Sequence, residues 1–502
     1  MKRNIFAVLG VLPEPAGFAA AKFSRTPVYK SYQDWVMELT EEGAEKFYNS
    51  FYFQYGHASI ADLSHLMVII ERVSVPARFT LLDDQLIDIQ SRSTRYVDYS
   101  KCELITPPEI KKDKEILKTY RQMCRELIEL YSRIIEKVSE YYTKQYRSQK
   151  PADMDEETYT RTLSARSIDV ARYLLPGGIP KSFGIIGSAR TWERIITRML
   201  SSDLLEFQQI GKELQKAICK NQAFNPAITK IDLLKLNPQT KEDIKKIAFG
   251  KNVGLPTLVK YAESKDYPKN IYKSLKKYLR KFDLPEKMDG EFGVKLFEKV
   301  DPQIDLVTTL FYRISNYSYT QLLKAIKKAD KKLIKEIIDL TYKSRGDHDP
   351  VFREAAVGAL TFDVCIDIGA YRDLSRHRNV IHIMKDTAPV YGFAMPDEIK
   401  KVGLDKEYQE LMKKVTTVYN KIEKKYPGVG QYILPQATKR RILMRMTPWE
   451  LQYLTELRTK PQGHFSYRQI AFEMYQAFAK KYPDWGKHFR VTDPKIVDFF
   501  KR

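Results

Sequence analysis

Cysteine is scarce in this chain. Cys102, Cys124, Cys219 and Cys365 are the four thiols in 502 residues, and no two stand in a Cys-x-x-Cys spacing. That excludes a disulfide scaffold and leads us to expect a reduced, cytoplasmic protein. The seven histidines add no tetrahedral zinc set at their spacings, so no metal is expected. Long apolar runs are also missing: none reaches about 18 residues, which predicts no transmembrane helix. Residues 1–17 begin with two charges and a short apolar run, but the run stops at Pro13 and Glu14 with no small-residue cleavage site. A buried first strand is expected there rather than a secretory leader. No Walker loop, no GxGxxG with a downstream acid and no GxSxG elbow occurs, so P-loop, dinucleotide-fold and serine-hydrolase chemistry are excluded. Acid is in short supply as well, with 63 Asp and Glu against 85 Lys and Arg, a net charge of +22. That excess favours anionic partners, nucleic acid among them. Lys-rich runs such as 324–335 carry much of it and read as solvated helix faces.

Against those absences stands a repeat. Gln209, Ile210, Glu213 and Ala217 recur as Gln469, Ile470, Glu473 and Ala477, all at an offset of 260, and Arg198 recurs as Arg458 at the same offset. Upstream, Leu175-Pro176 answers Leu434-Pro435, Pro-Ala-Arg at 76–78 answers Ala-Tyr-Arg at 370–372, and His57 answers His348. Several matches in one order, with small drift, indicate a duplicated unit. We read copy 1 as residues 1–225, a basic helical connector as 226–299, and copy 2 as 300–502.

Helical periodicity dominates, over 112–146, 187–222, 319–343, 404–425 and 447–481. Asp301-Pro302 reads as a helix start. Strand patterns fall at equivalent places, Leu66–Val75 and Ala359–Ile368. The expected class is α+β: two tandem copies of a helix-rich unit around a small antiparallel sheet, joined by the Lys-rich helical connector.

The sharpest chemical cluster is Arg376-His377-Arg378, which concentrates forked donors suited to phosphate oxygens. As a bare triplet it equally suits a surface ion-pair patch. Ser93, Arg95 and Tyr96 offer a hydroxyl, a guanidinium and an aromatic ring, a set that could grip a phosphate and flank a base, or simply end a strand. Arg172, Arg198 and Arg458 sit on apolar stretches and need partners if buried. His57 and His348 each also suit a capping or core role.

With those residues in view, the chain resembles the flavin-dependent thymidylate synthases, in the tandem, double-length form. Gly56-His57-Ala58-Ser59, Ser93-Thr94-Arg95-Tyr96 and Ala171-Arg172 leading to Leu175-Pro176 match in copy 1. Arg376-His377-Arg378 and Arg458 match in copy 2, with His348 a weaker counterpart. The departures are complementary. Copy 1 has Asp83-Asp84-Gln85 where Arg-His-Arg should stand, and Ser91 where the family has a glutamate. Copy 2 has Asp386 where the serine should stand, and Gln431 where Arg172 stands in copy 1.

The resemblance implies reductive methylation of dUMP to dTMP, with FAD as the flavin, NADPH as reductant and methylenetetrahydrofolate as carbon donor. It implies that Ser93, Arg95 and Arg172 orient the nucleotide and stabilise charge on its ring, with Tyr96, Arg198 and Arg458 completing the substrate contacts. Arg376, His377 and Arg378 would hold FAD, with His57 or His348 touching it. It further implies a homodimer that mimics the family's tetramer, with one working site shared by the two retained halves. Two other functions fit the same residues: a non-catalytic nucleotide- or RNA-binding relative, and a flavoenzyme acting on another uridine substrate.

Overall fold

The computed structural model describes residues 65–92, 99–200, 202–219, 300–346, 349, 351–384 and 386–500, with Ala19 and parts of 271–284. The expected first strand, His57, the Ser93–Tyr96 motif, His348 and most of the connector lie outside these residues.

Copy 1 runs β1 (His65–Val73), α1 (Val75–Leu81), β2 (Ile87–Ser91), α2 (Lys114–Tyr146), α3 (Glu156–Ala171), β3 (Lys181–Ser188), α4 (Ala189–Leu200) and α5 (Leu205–Cys219). Copy 2 opens with α6 (Pro302–Ile314), α7 (Tyr319–Lys328) and α8 (Lys331–Tyr342). It continues through β4 (Leu360–Asp367), α9 (Ile368–Leu374), β5 (Ile381–Met384), α10 (Asp405–Lys425), β6 (Lys439–Met446), α11 (Pro448–Arg458) and α12 (Phe465–Lys481). The sheets are antiparallel, with strand orders β1-β3-β2 and β4-β6-β5. Strand, short helix, strand, long helix, strand and two further helices therefore recur in one order, and the α+β class holds.

Local chemistry accounts for the boundaries. Asp301 accepts from the Gln303 and Ile304 amides with Pro302 at the first helical position, as the sequence predicts. Asp113 caps α2, whose Ile116, Tyr120, Met123, Leu127, Leu130, Ile134 and Val138 form one buried stripe at helical spacing. The helical pattern over 187–222 is broken: Ser188 ends β3, and α4 and α5 follow as separate helices.

Each sheet has three described strands where the sequence reading placed one. The central strands were hidden by their composition. β6 interleaves Lys439, Arg440, Arg441 and Arg445 with its apolar residues, and β3 carries Lys181, Gly184 and Gly187. Neither composition favours a strand.

The copies share a core. One apolar cluster takes in α2 and α4 of copy 1 together with Tyr408, Leu411, Val415 and Ile422 of α10 and the Val429–Leu434 turn of copy 2. A second cluster fills copy 2, and Ile271, Leu275 and Phe282 of the connector belong to it, with Phe282 edge-on to Phe311 at 5.0 Å.

The two Leu-Pro stretches cross antiparallel between the copies. The Gly177 amide donates to the Leu434 carbonyl (2.9 Å) and the Gly178 amide to that of Tyr432 (2.8 Å); the Gln436 amide donates to the Leu175 carbonyl (3.0 Å) and the Ala437 amide to that of Tyr173 (2.9 Å). Pro176 and Pro435 face each other at the centre. The sequence match at 175–176 and 434–435 therefore marks a near-two-fold axis of the molecule.

Candidate functional site

The short helices α1 and α9 set the frame. Ser74 caps α1 and Asp367 caps α9, and each helix spans seven residues. Aligning the caps pairs Ala77 with Ala370 and Leu81 with Leu374, all fully buried. It also pairs Phe79 with Arg372, which corrects the sequence match of Arg78 to Arg372 by one residue. The same alignment sets Asp83-Asp84-Gln85 opposite Arg376-His377-Arg378. From the Leu-Pro crossing, Arg172 pairs with Gln431 and Lys181 with Arg440, both at an offset of 259.

On one side of the crossing, cations gather. Arg78 (α1), Arg172 (the turn after α3), Lys181 (the first residue of β3) and Arg372 (α9) are all buried, with Arg376 at the edge. Arg172 is paired with Asp169 at 3.4 Å, yet its Nε and Nη2 find no hydrogen-bond acceptor. Arg78 Nε and Nη1 find none either. Arg372 donates from Nη1 to Gln436 Oε1 at 2.7 Å, and Lys181 Nζ donates to the Tyr99 hydroxyl at 3.3 Å.

Burial, then repulsion from Arg372 and Arg376, pulls Arg78 down to about 9. Burial, then Arg172, pulls Arg372 down to about 10. Burial and the charges of Arg372, Arg78 and Arg172 hold Lys181 well below the usual lysine range. Arginine keeps its proton in proteins, so these depressions express a cluster whose cations outnumber the described carboxylates around it. Buried unsatisfied charges are costly, and an anion bridging the copies is the ligand class this arrangement fits.

The mirror position is a cavity of about 540 Å³ with the opposite character. Phe79, Asp83, Gln431 and Arg440 line it, at the places held by Arg372, Arg376, Arg172 and Lys181 on the cationic side, and so does Asp386, whose sequence counterpart is Ser93. Arg440 lies over the rings of Phe79 (5.4 Å) and Tyr371 (5.5 Å). Burial raises the Asp83 carboxyl, with Arg198 opposing.

The remaining candidates divide. Arg376 sits 3.9 Å from Asp373 of its own copy and repels Arg78 of copy 1, and Arg378 reaches across the copies to Asp88 of β2 at 2.7 Å, so both arginines border copy 1. His377 turns inward: Nδ1 is 2.9 Å from Glu450 Oε1 and Nε2 accepts from Arg458 Nε at 2.9 Å. Burial lowers the His377 pKa although Glu450 opposes it. Arg458 is thus committed to His377 and to the Tyr467 ring, 5.8 Å away. Arg198 donates to the Thr80 carbonyl at 3.0 Å, so each repeat arginine stays beside its own copy's 83–85 or 376–378 segment.

Sequence reasoning missed Lys181, Tyr99 and Asp169. The pairing of Lys181 with Arg440 at the Leu-Pro offset was the signal for the first. Tyr99 and Asp169 carry no comparable signal, because they act through three-dimensional proximity to arginines distant in sequence.

Residues 13–220 and 298–484 match the family described as thymidylate synthase complementing protein. A "UPF0159 protein" of Chlamydia muridarum is 27% identical over 478 residues, covering 92% of this chain and 83% of that protein. A "UPF0159 protein" of Thermoplasma acidophilum is 24% identical, covering 95% of both chains. A protein of Clostridium tetani named "Flavin-dependent thymidylate synthase" is 25% identical over 179 residues, 36% of this chain and 66% of that one.

Proposed function

This chain belongs to the thymidylate synthase complementing protein family, and from that premise we propose that it converts dUMP to dTMP by FAD-dependent reductive methylation. Methylenetetrahydrofolate would be the carbon donor and NADPH the reductant, and the site would be one per chain, assembled from complementary halves of the two copies. The observation that carries this reading is the buried cluster of Arg78, Arg172, Lys181 and Arg372 between the copies, in which Arg78 and Arg172 keep guanidinium donors without a described acceptor.

Arg172 and Arg372 hold the nucleotide's phosphate from opposite copies. Fixed by Asp169 and Gln436, they lose little freedom on binding. Ser93, Arg95 and Tyr96 follow Arg92 at the end of β2 and supply contacts to the base; a guanidinium there stabilises negative charge as it develops on the ring. Arg376 and Arg378, half-exposed at the border of copy 1, suit the diphosphate of FAD. His377 supports them from beneath through its bonds to Glu450 and Arg458. Bound FAD supplies the hydride chemistry, and the protein supplies orientation and charge.

The test is the visible spectrum of the purified protein loaded with FAD. A flavin band that shifts on adding dUMP supports a single pocket for both. A flavin band indifferent to dUMP moves the reading to another substrate, and failure to retain flavin removes it.

A further inference from the structure

The dUMP reading leaves two members of the cationic cluster without a role. Arg78 and Lys181 belong to none of the motifs by which the chain resembles its family, and both are almost wholly buried, at 2% and 1% exposure. Neither is ion-paired with a described carboxylate. Among the described residues, Arg78 Nε and Nη1 find no acceptor, and Lys181 has the Tyr99 hydroxyl and, at 5.1 Å, the Tyr99 ring. Such cations are stable in a folded protein when something completes their charge.

The mirror side shows what a balanced version looks like. There Arg440 replaces Lys181 and lies over two aromatic rings, and the place of Arg372 is taken by Phe79. On the cationic side, four buried cations face two buried described carboxylates: Asp169, paired with Arg172, and Asp367, within electrostatic reach of Arg172; Asp373 is partly exposed and shared with Arg376. Four cations against two carboxylates leave two positive charges unbalanced among the described residues, which one negative charge does not offset.

We propose that Arg78 and Lys181 contact the ligand's phosphate directly and make the site select a terminal phosphate monoester, with two negative charges, over a phosphodiester or an unphosphorylated nucleoside. For the identity of the ligand this rests on the dUMP reading; for the charge it rests on the cluster alone. Guanidinium and ammonium groups bind a phosphate dianion through charge-assisted hydrogen bonds, and a site built to satisfy them discriminates sharply against ligands that leave them unpaired.

The experiment is calorimetric titration of the full chain with dUMP, its methyl phosphodiester and deoxyuridine, in wild type, Lys181→Met, Lys181→Arg and Arg78→Met. Wild type should prefer dUMP to the diester by about 100-fold or more, and Lys181→Met should shrink that preference by about 10-fold or more. Lys181→Arg keeps the charge and should keep the preference. The ligand-free Lys181→Met protein should melt at or above the wild-type temperature, because a repelled cation is gone; a merely structural lysine would give the reverse. Arg78→Met repeats the test from copy 1's helix.

Acidity gives a second readout. Lys181 faces Arg78 of α1, Arg172 after α3, Arg372 of α9, Tyr99 and Cys102. A bound dianion favours its charged form, so wild-type affinity should fall as pH rises on the alkaline side, past the phosphate's own second ionisation near 6. Lys181→Arg should hold its affinity over the same range. Lys181→Met binding dUMP with undiminished preference would overturn the proposal. If wild type ignores dUMP but binds inorganic phosphate or another nucleoside monophosphate with the same dependence on Lys181, the selection stands and the dUMP reading falls.

Discussion

Ser74 and Asp367 occupy equivalent caps, and their partners are exchanged to match. In copy 1 the hydroxyl of Ser74 donates to Glu206 (2.6 Å), which also accepts from the Ser74 amide (3.0 Å) and from Tyr432 of copy 2 (2.5 Å). In copy 2 the carboxylate is the cap: Asp367 accepts from Ser466, which stands 260 residues after Glu206, and Tyr173 of copy 1 lies beside them. Hydroxyl and acid have swapped places while the buried pair survives. Ser74→Asp alone would bury two carboxylates in contact and should cost on the order of 3 kcal/mol. Adding Glu206→Ser, which recreates the arrangement of copy 2, should recover the loss to within about 1 kcal/mol. Urea unfolding of the four proteins of the cycle measures both, and additive losses would refute the exchange. Such a swap was invisible beforehand, because residue-by-residue matching scores it as two mismatches. Arg172 was readable for the opposite reason: its motif is local, a cation beside Leu175-Pro176. Lys181, five residues after Pro176, looked like one of the many surface lysines, and only the fold shows it buried.

At the scale of elements, the joint between copies is the Leu-Pro crossing. Gly177 is required there, since a Cβ at that position would lie 2.5 Å from the Gln431 carbonyl oxygen. Gly177→Ala should therefore lower stability by about 1–3 kcal/mol, and it should weaken nucleotide binding more than a surface change of equal cost, because the crossing sets Arg172 against Arg372. Denaturation paired with dUMP titration checks this; a destabilised protein with wild-type affinity would show that the crossing does not govern the site. Long elements were legible in the sequence. The stripes of α2 and α10 carry enough turns for helical period to stand out, β1 shows as a short apolar run, and β4 alternates over its second half. β3 and β6 were not, because the central strand of each sheet begins with basic residues that serve the site or its mirror rather than the core. The helices were also read as longer than they are, with 187–222 and 447–481 each broken by a short turn.

For the molecule as a whole, duplication and divergence give one cationic site and one acidic counterpart. Phe79, Asp83 and Gln431 stand where the other side has Arg372, Arg376 and Arg172, and Asp386 joins them, so the cavity they line opposes a nucleotide phosphate. That complementarity was readable from the motifs, since each copy lacks what the other keeps. What the sequence withheld was the shared core and the near-two-fold crossing, which bring Arg172 of copy 1 beside Arg372 of copy 2. The most direct measurement is the binding stoichiometry of dUMP to the FAD-loaded protein, followed by calorimetry and by the flavin spectrum together. One dUMP per chain, with loss of binding in Arg172→Ala and no change in Gln431→Ala, is the result expected of a single site built from opposite halves. Two dUMP per chain, or binding that survives Arg172→Ala, would contradict it.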